Sequence, residues 1–329
     1  MYIRRNYGFW MTLNWSKWPF IIAILYAGGI ACLGKFLDIH VALPWQPISI
    51  IGIAVAFYLG FKNNSSYDRT WEGRKIYGGI VNSSRTFGAA VVSFVKGENE
   101  ENIRKELIYR HIAWLTALRF QLRLSRPWEH TEERIKGKYA PTVCEQYLKQ
   151  LDQILLKFID KEEVDSYQDK TNIAAQILKT QSVRLQELLE KGYFEDFRHM
   201  EFHQLITNFY TDQGKAERIK NFPFPRQYAS TAMWLTMLFS LLVPLGLYEI
   251  FKEMEGWLFW IYPFMSGLII WIFYLMEKIG DYSENPFEGT YNDVPITSIS
   301  IGIEIDLREM INDTNIPKAV NGDEEGFLL

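Results

Sequence analysis

His199 and His203 stand four residues apart in GYFEDFRHMEFH, with Glu201 between them. On a helix both imidazoles face the same way, and two such ligands could hold zinc. HMEFH is not, however, the HExxH in which a glutamate beside the ligands serves a metalloprotease as base. A solvent-facing helix surface accounts for the pair more simply. No Gly-x-Ser-x-Gly elbow, phosphate-binding loop or dinucleotide fingerprint occurs in the 329 residues. Cys32 and Cys144 lie in unlike settings and suggest neither a disulfide framework nor a metal cluster. The chain is therefore not expected to be an enzyme or to carry a cofactor. Asp68, Arg69, Glu72, Arg74 and Lys75 are mixed-sign neighbours at i, i+3 and i+4, read as ion pairs on one helix; attracting anions is the other use open to them.

The elements that carry these residues are dominated by apolar runs. Hydrophobic residues make up 48% and aromatics 16%, with 11 Trp, yet mean hydropathy is only −0.10. A membrane part must therefore be balanced by a large polar part. A net charge of −4 argues against nucleic acid as a partner, since phosphate binding needs a basic surface. The first fifteen residues lack the apolar stretch and cleavage site of a signal peptide. Apolar segments fall at about 18–36, 46–62, 228–251 and 256–276. The first, third and fourth match the roughly 17–25 residues of a bilayer-spanning helix, and the second is short.

Arg4, Arg5 and Lys17 precede the first span, and Lys62, Arg69, Arg74, Lys75 and Arg85 follow the second. The loop 37–45 has no Lys or Arg, and 252–255 has only Lys252. The positive-inside rule then places both termini and the long central region in the cytoplasm of a multi-pass inner-membrane protein. Formal glycosylation sequons at Asn14, Asn63 and Asn82 would all lie on that side, and are read as chance. Trp10, Trp15, Trp18, Trp45, Trp257 and Trp260 fall near the expected headgroup levels. The expected division is 1–62 with two spans, 63–227 cytoplasmic, 228–276 with two spans, and 277–329 cytoplasmic.

The central region reads as helices, so the fold class is all-α. ENEENIRKELIYRHIAWLTALRFQLR begins acidic and ends basic, which suits the macrodipole. Its Ile103, Leu107, Ile112, Leu115 and Leu118 recur at helical spacing. NIAAQILKTQSVRLQELLEKG repeats the pattern and should stop at Gly192. Polar loops are expected at 127–145 and 158–170. The tail NGDEEGFLL reads as acidic and mobile, with its final Phe-Leu-Leu able to dock on a neighbouring subunit.

Two rows separate on the second span. Gly52, Ala56 and Gly60 repeat every four residues, and so do Ile53, Phe57 and Phe61. The rows lie about 100° apart on a helix. Small residues let another helix approach closely in a membrane. The bulky row could then line a narrow apolar tube, about 12 Å long, if several copies surrounded an axis. Such a constriction gates by dewetting. Plain packing against neighbouring helices is the other reading of the same row.

The order of parts resembles the bestrophin ion channels, and more closely their bacterial members. An apolar second span runs into GFKNNSSYDRTWEGRKIYGGIVNSSR; NFPFPRQYAS precedes the third span; ENPFEGTYNDVPITSISIGIEIDLRE follows the fourth. The resemblance covers the chain to about Arg308. It implies a homopentamer with one axial pore, passing chloride and other anions, or sodium-like cations as in some bacterial members. A neck of three apolar residues on the second span corresponds here to Ile53, Phe57 and Phe61. Asn63, Asn64, Ser65, Asp68 and Arg69 would stand at the mouth of a cytoplasmic vestibule. A second constriction deep in the cytoplasmic part would fall near Phe197. Animal members clasp calcium with an acidic run after an N-P-F block. Here only Glu288 and Asp293 follow Asn285-Pro286-Phe287, too few for such a site, and Asp293 suits a turn cap or a pair with a base. The partners implied are other copies of the chain, the bilayer and monovalent ions. A non-conducting membrane scaffold or accessory subunit is the rival reading.

Overall fold

The computed structural model describes residues 1–37, 39, 42–130, 145–290, 292–322 and 326–328, with the backbone alone at 145–149. Among these residues the chain is helical, and extended pairing is confined to an isolated antiparallel bridge between Tyr2 and Phe327. In chain order the helices are α1 (Phe9–Phe36), α2 (Trp45–Phe94), α3 (Glu100–Arg123), α4 (Glu145–Leu155) and α5 (Lys161–Asp165). Then follow α6 (Ile173–Glu190), α7 (Asp196–Asn221), α8 (Arg226–Phe251), α9 (Ile261–Tyr282) and α10 (Ile296–Met310), with a 3₁₀ turn, Gly256–Leu258, just before α9.

Among the described residues, four helical stretches are long and apolar enough to cross a membrane: 9–36, 45–94, 226–251 and 256–282. They coincide with the four expected spans. α1 starts at Phe9, well before the first apolar run, and α2 does not stop with its apolar run at 62 but continues for 50 residues in all. The structure divides into two units, one of residues 4–68 and 224–284, the other of 1–3, 69–223 and 285–329.

In the first unit α1 packs on α8 and α9, and α8 on α9. Small residues permit the close approach of α9 to α1, and of α2 to α8. A methyl group on Gly52 would sit 2.7 Å from the Phe239 ring, and one on Gly267 would sit 2.6 Å from Ile24. Several buried polar groups find partners inside the unit, as a bilayer favours. The Trp271 indole N–H donates to Ser16 Oγ at 2.8 Å, and the Tyr262 hydroxyl donates to the Pro244 carbonyl at 2.8 Å.

In the second unit α3 is the central element, meeting α4, α6, α7 and α10. Its Ile103, Leu107, Ile112, Leu115 and Leu118 are all buried. α6 begins with Asn172 accepting from the Ala175 N–H at 2.9 Å. It ends as expected at Gly192, whose φ is +80°. Bonds from Gly192 N–H to Leu189 O (2.9 Å) and from Tyr193 N–H to Leu188 O (3.0 Å) close a Schellman cap.

Two expectations need correction. The stretch 158–170 is not all loop: α5 forms there because Val164 is buried and Glu163 holds Arg110 at 2.8 Å. The tail docks on its own chain, Phe327 lying 5.1 Å from the Tyr2 ring. Ile3 N–H donates to Gly326 O at 2.9 Å, and Leu328 N–H to Met1 O at 2.8 Å. Of the loop expected at 127–145, residues 131–144, with Cys144, lie outside the described residues, as do 323–325 of the acidic tail.

Candidate functional site

Within the first unit, α2 turns one side to its neighbours and the other to open space. Ile48, Gly52, Val55, Leu59, Lys62 and Ser66 are buried, in steps of three and four along a packed face. The opposite row carries Ile53, Phe57 and Phe61 at 71%, 68% and 56% exposure. The Phe57 and Phe61 rings meet edge to face, 4.6 Å between centroids. The small row divides. Gly52 backs onto Phe239, Ala56 is half-buried, and Gly60 meets nothing within 4 Å inside the chain.

Directly below Phe61 the helix is clamped. Lys62, with 1% of its side chain exposed, donates to Glu277 on α9 at 2.9 Å and lies 3.7 Å from Asp281. Asn63 donates from one amide nitrogen to the carbonyls of Leu59 and Met276, at 2.8 and 2.9 Å. Gly280 lets the two helices close here, since a methyl group on it would come within 3.3 Å of both Lys62 and Asn63. Sequence reading placed Asn63 among vestibule residues and overlooked the Lys62–Glu277 pair. The signal was available: a lysine ends one apolar run, and a glutamate ends another.

Asn64, Ser65 and Asp68 are exposed. Arg69 is half-buried and donates to the carbonyls of Ile219 and Phe222, at 3.0 and 2.9 Å, capping the end of α7. Of the ion pairs expected along this stretch, Glu72–Lys75 forms, at 2.6 Å. That neighbouring ammonium holds the Glu72 carboxyl below its ordinary value. Asp68 and Arg74 have no ion pair among the described residues, because the side chains fan to different sides of α2.

In the second unit Phe197 stands in the first turn of α7, 83% exposed. His199 is half-buried, stacked on Phe194 at 6.3 Å, while His203 is exposed. No cluster of three or more His, Cys, Asp or Glu able to hold a metal ion occurs among the described residues. Asp293 and Glu288 are both buried and answered by protein donors. Asp293 accepts from Arg123 at 3.2 Å, from Thr290 Oγ1 at 2.8 Å and from the Gly289 N–H. Burial pushes its carboxyl up, against the pull of Arg123. Glu288 accepts from the His130 N–H at 2.9 Å and from Asn285 at 3.0 Å. Both carboxylates thus serve the loop that follows α9. Pro286, Phe287 and Val294 of that loop close on Gly73 of α2.

Known proteins resemble this chain in sequence and in fold. The voltage-dependent anion channel-forming protein YneE of Salmonella typhi is 25% identical over 293 residues, which is 85% of this chain and 84% of that protein. The voltage-dependent anion channel-forming protein RSc3414 of Ralstonia nicotianae is 25% identical over 313 residues, covering 94% and 90%. The crystal structure of a bacterial bestrophin homologue from Klebsiella pneumoniae superposes with a TM-score of 0.75 at 22% identity, over 91% of this chain and 99% of that one. The model of the bacterial and fungal bestrophin proteins matches residues 17–309, and the chain belongs to that family of multi-pass, channel-like membrane proteins.

Proposed function

We propose that the protein is a passive ion channel in which five copies surround one axial pore, with Ile53, Phe57 and Phe61 forming its neck. The observation that carries this reading is the exposed apolar row itself. Three large side chains on successive turns stand open on a helix whose opposite face is packed and clamped. A ring of such side chains dewets a narrow passage and opens when the helix turns. The names of the curated relatives support conduction, and the Klebsiella structure supports the fold.

In this arrangement Gly52, Ala56 and Gly60 admit neighbouring helices, and Asn64, Ser65 and Asp68 open onto a vestibule. Phe197 narrows the pathway again. Both termini and the stretches 63–227 and 277–329 lie on the cytoplasmic side of the inner membrane, following the Lys and Arg bias. The partners are sister subunits, lipid and monovalent ions. No chemistry and no cofactor are required.

The test is flux from liposomes carrying the purified protein, under separate Na⁺ and Cl⁻ gradients. Flux of at least one ion is expected. Silence under both, from protein that runs as an intact oligomer, would favour a scaffold or accessory subunit.

A further inference from the structure

The ion that passes is the open part of the channel reading, and the row that forms the neck continues past it. Asn64 and Asp68 follow Phe61 on the same side of α2. Seven residues from Phe61 to Asp68 are two turns, about 10 Å along the axis and about 20° around it. Asp68 is exposed, and neither a hydrogen bond nor an ion pair engages it among the described residues.

The cations nearby in sequence are otherwise placed. Lys62 is buried and held by Glu277 and Asp281. Arg69 donates to carbonyls at the end of α7, where the helix dipole is negative. Lys75 is paired with Glu72. Arg74 is exposed but lies about 120° around α2 from Asp68. Asp68 is therefore the one uncompensated charge on the neck row within two turns of Phe61, among the described residues.

Resting on that channel reading, we propose that Asp68 sets the sign of the permeant ion, drawing monovalent cations to the inner mouth of the neck. An apolar neck offers no ligand to tell ions apart, so the selecting field must come from charges at its mouths, as rings of acidic side chains supply in cation channels. Five copies place five carboxylates around the axis. At a distance of about one Debye length, in water, their field enriches cations over bulk by roughly fivefold and depletes anions by as much. The expected preference is opposite in sign to the one in the names of the curated relatives.

The test is the reversal potential of reconstituted protein under a NaCl gradient, for the natural chain, Asp68→Asn and Asp68→Glu. The natural chain should favour Na⁺, and its preference should weaken as total salt is raised. Asp68→Asn should carry current but lose most of the Na⁺ to Cl⁻ preference, a fall of at least roughly fivefold in the permeability ratio by the same field. Asp68→Glu should keep it. A natural channel that favours Cl⁻, or an unchanged ratio in Asp68→Asn, overturns the assignment while leaving the channel standing. Absence of current from the natural chain overturns both.

Discussion

Lys62 follows directly on Phe61, and one helical residue is about 100° of rotation. Fixing the lysine on α9 therefore fixes the direction in which the phenylalanine points. A buried ion pair is weak evidence for stability, but removing one partner strands the other's charge. Glu277→Gln should destabilise the protein by about 3 kcal/mol, read as thermal unfolding in detergent. The charge-exchanged pair Lys62→Glu with Glu277→Lys should recover part of that loss, and a double variant no better than the worse single would contradict the clamp. In the second unit His111 is buried among Phe87, Trp114 and Phe209, with Ser84 Oγ 2.9 Å from its Nε2. Burial pushes its imidazole down to about 3, so the folded protein holds it neutral. Its contribution is complete above the unfolded value near 6.5 and declines as pH falls toward 3, by about 2 kcal/mol at pH 5. Unfolding midpoints of the natural chain should therefore drop more steeply between pH 6.5 and 4 than those of His111→Leu. Parallel curves would refute this.

At the scale of elements, α2 joins the neck row to the face that carries the loop after α9. Pro286 and Phe287 close on Gly73, and Phe287 also meets Tyr77, 5.9 Å between ring centroids. Gly73→Leu would drive a side chain into three buried neighbours and should cost about 2–3 kcal/mol, again read from thermal unfolding; no loss would mean that the loop is not seated there. Much of this architecture was legible in the sequence. The apolar runs, the Gly192 cap and the buried stripe of α3 are written in local spacing, and local spacing is what periodicity reports. The seating of Asp293 on Arg123 and of Arg69 on the end of α7 was not legible. Both join residues at least 150 apart in the chain, and nothing in nearby spacing announces such a partner. Of the pairs read along 68–75, Glu72–Lys75 forms and those of Asp68 and Arg74 do not, for a related reason: i, i+3 or i+4 spacing permits an ion pair, while tertiary neighbours decide whether it forms.

At the scale of the whole molecule, the exposed row on α2 is what the proposed association would cover. Large apolar side chains open on one face of α2, opposite its packed face, need either lipid, a sister helix or a shared axis, and Asn64 and Asp68 on the same row favour the wet alternative. Chemical cross-linking of the purified protein should give a ladder ending at five, and a clean monomer would remove the axis. The most direct measurement is single-channel conductance of Phe57→Ala beside the natural chain. Phe57 is the middle ring of the proposed neck, so its truncation should widen the narrowest passage and raise conductance several-fold, with Phe61→Ala acting in the same direction. Unchanged conductance from a well-folded oligomer would place these side chains against neighbours or lipid and contradict the neck.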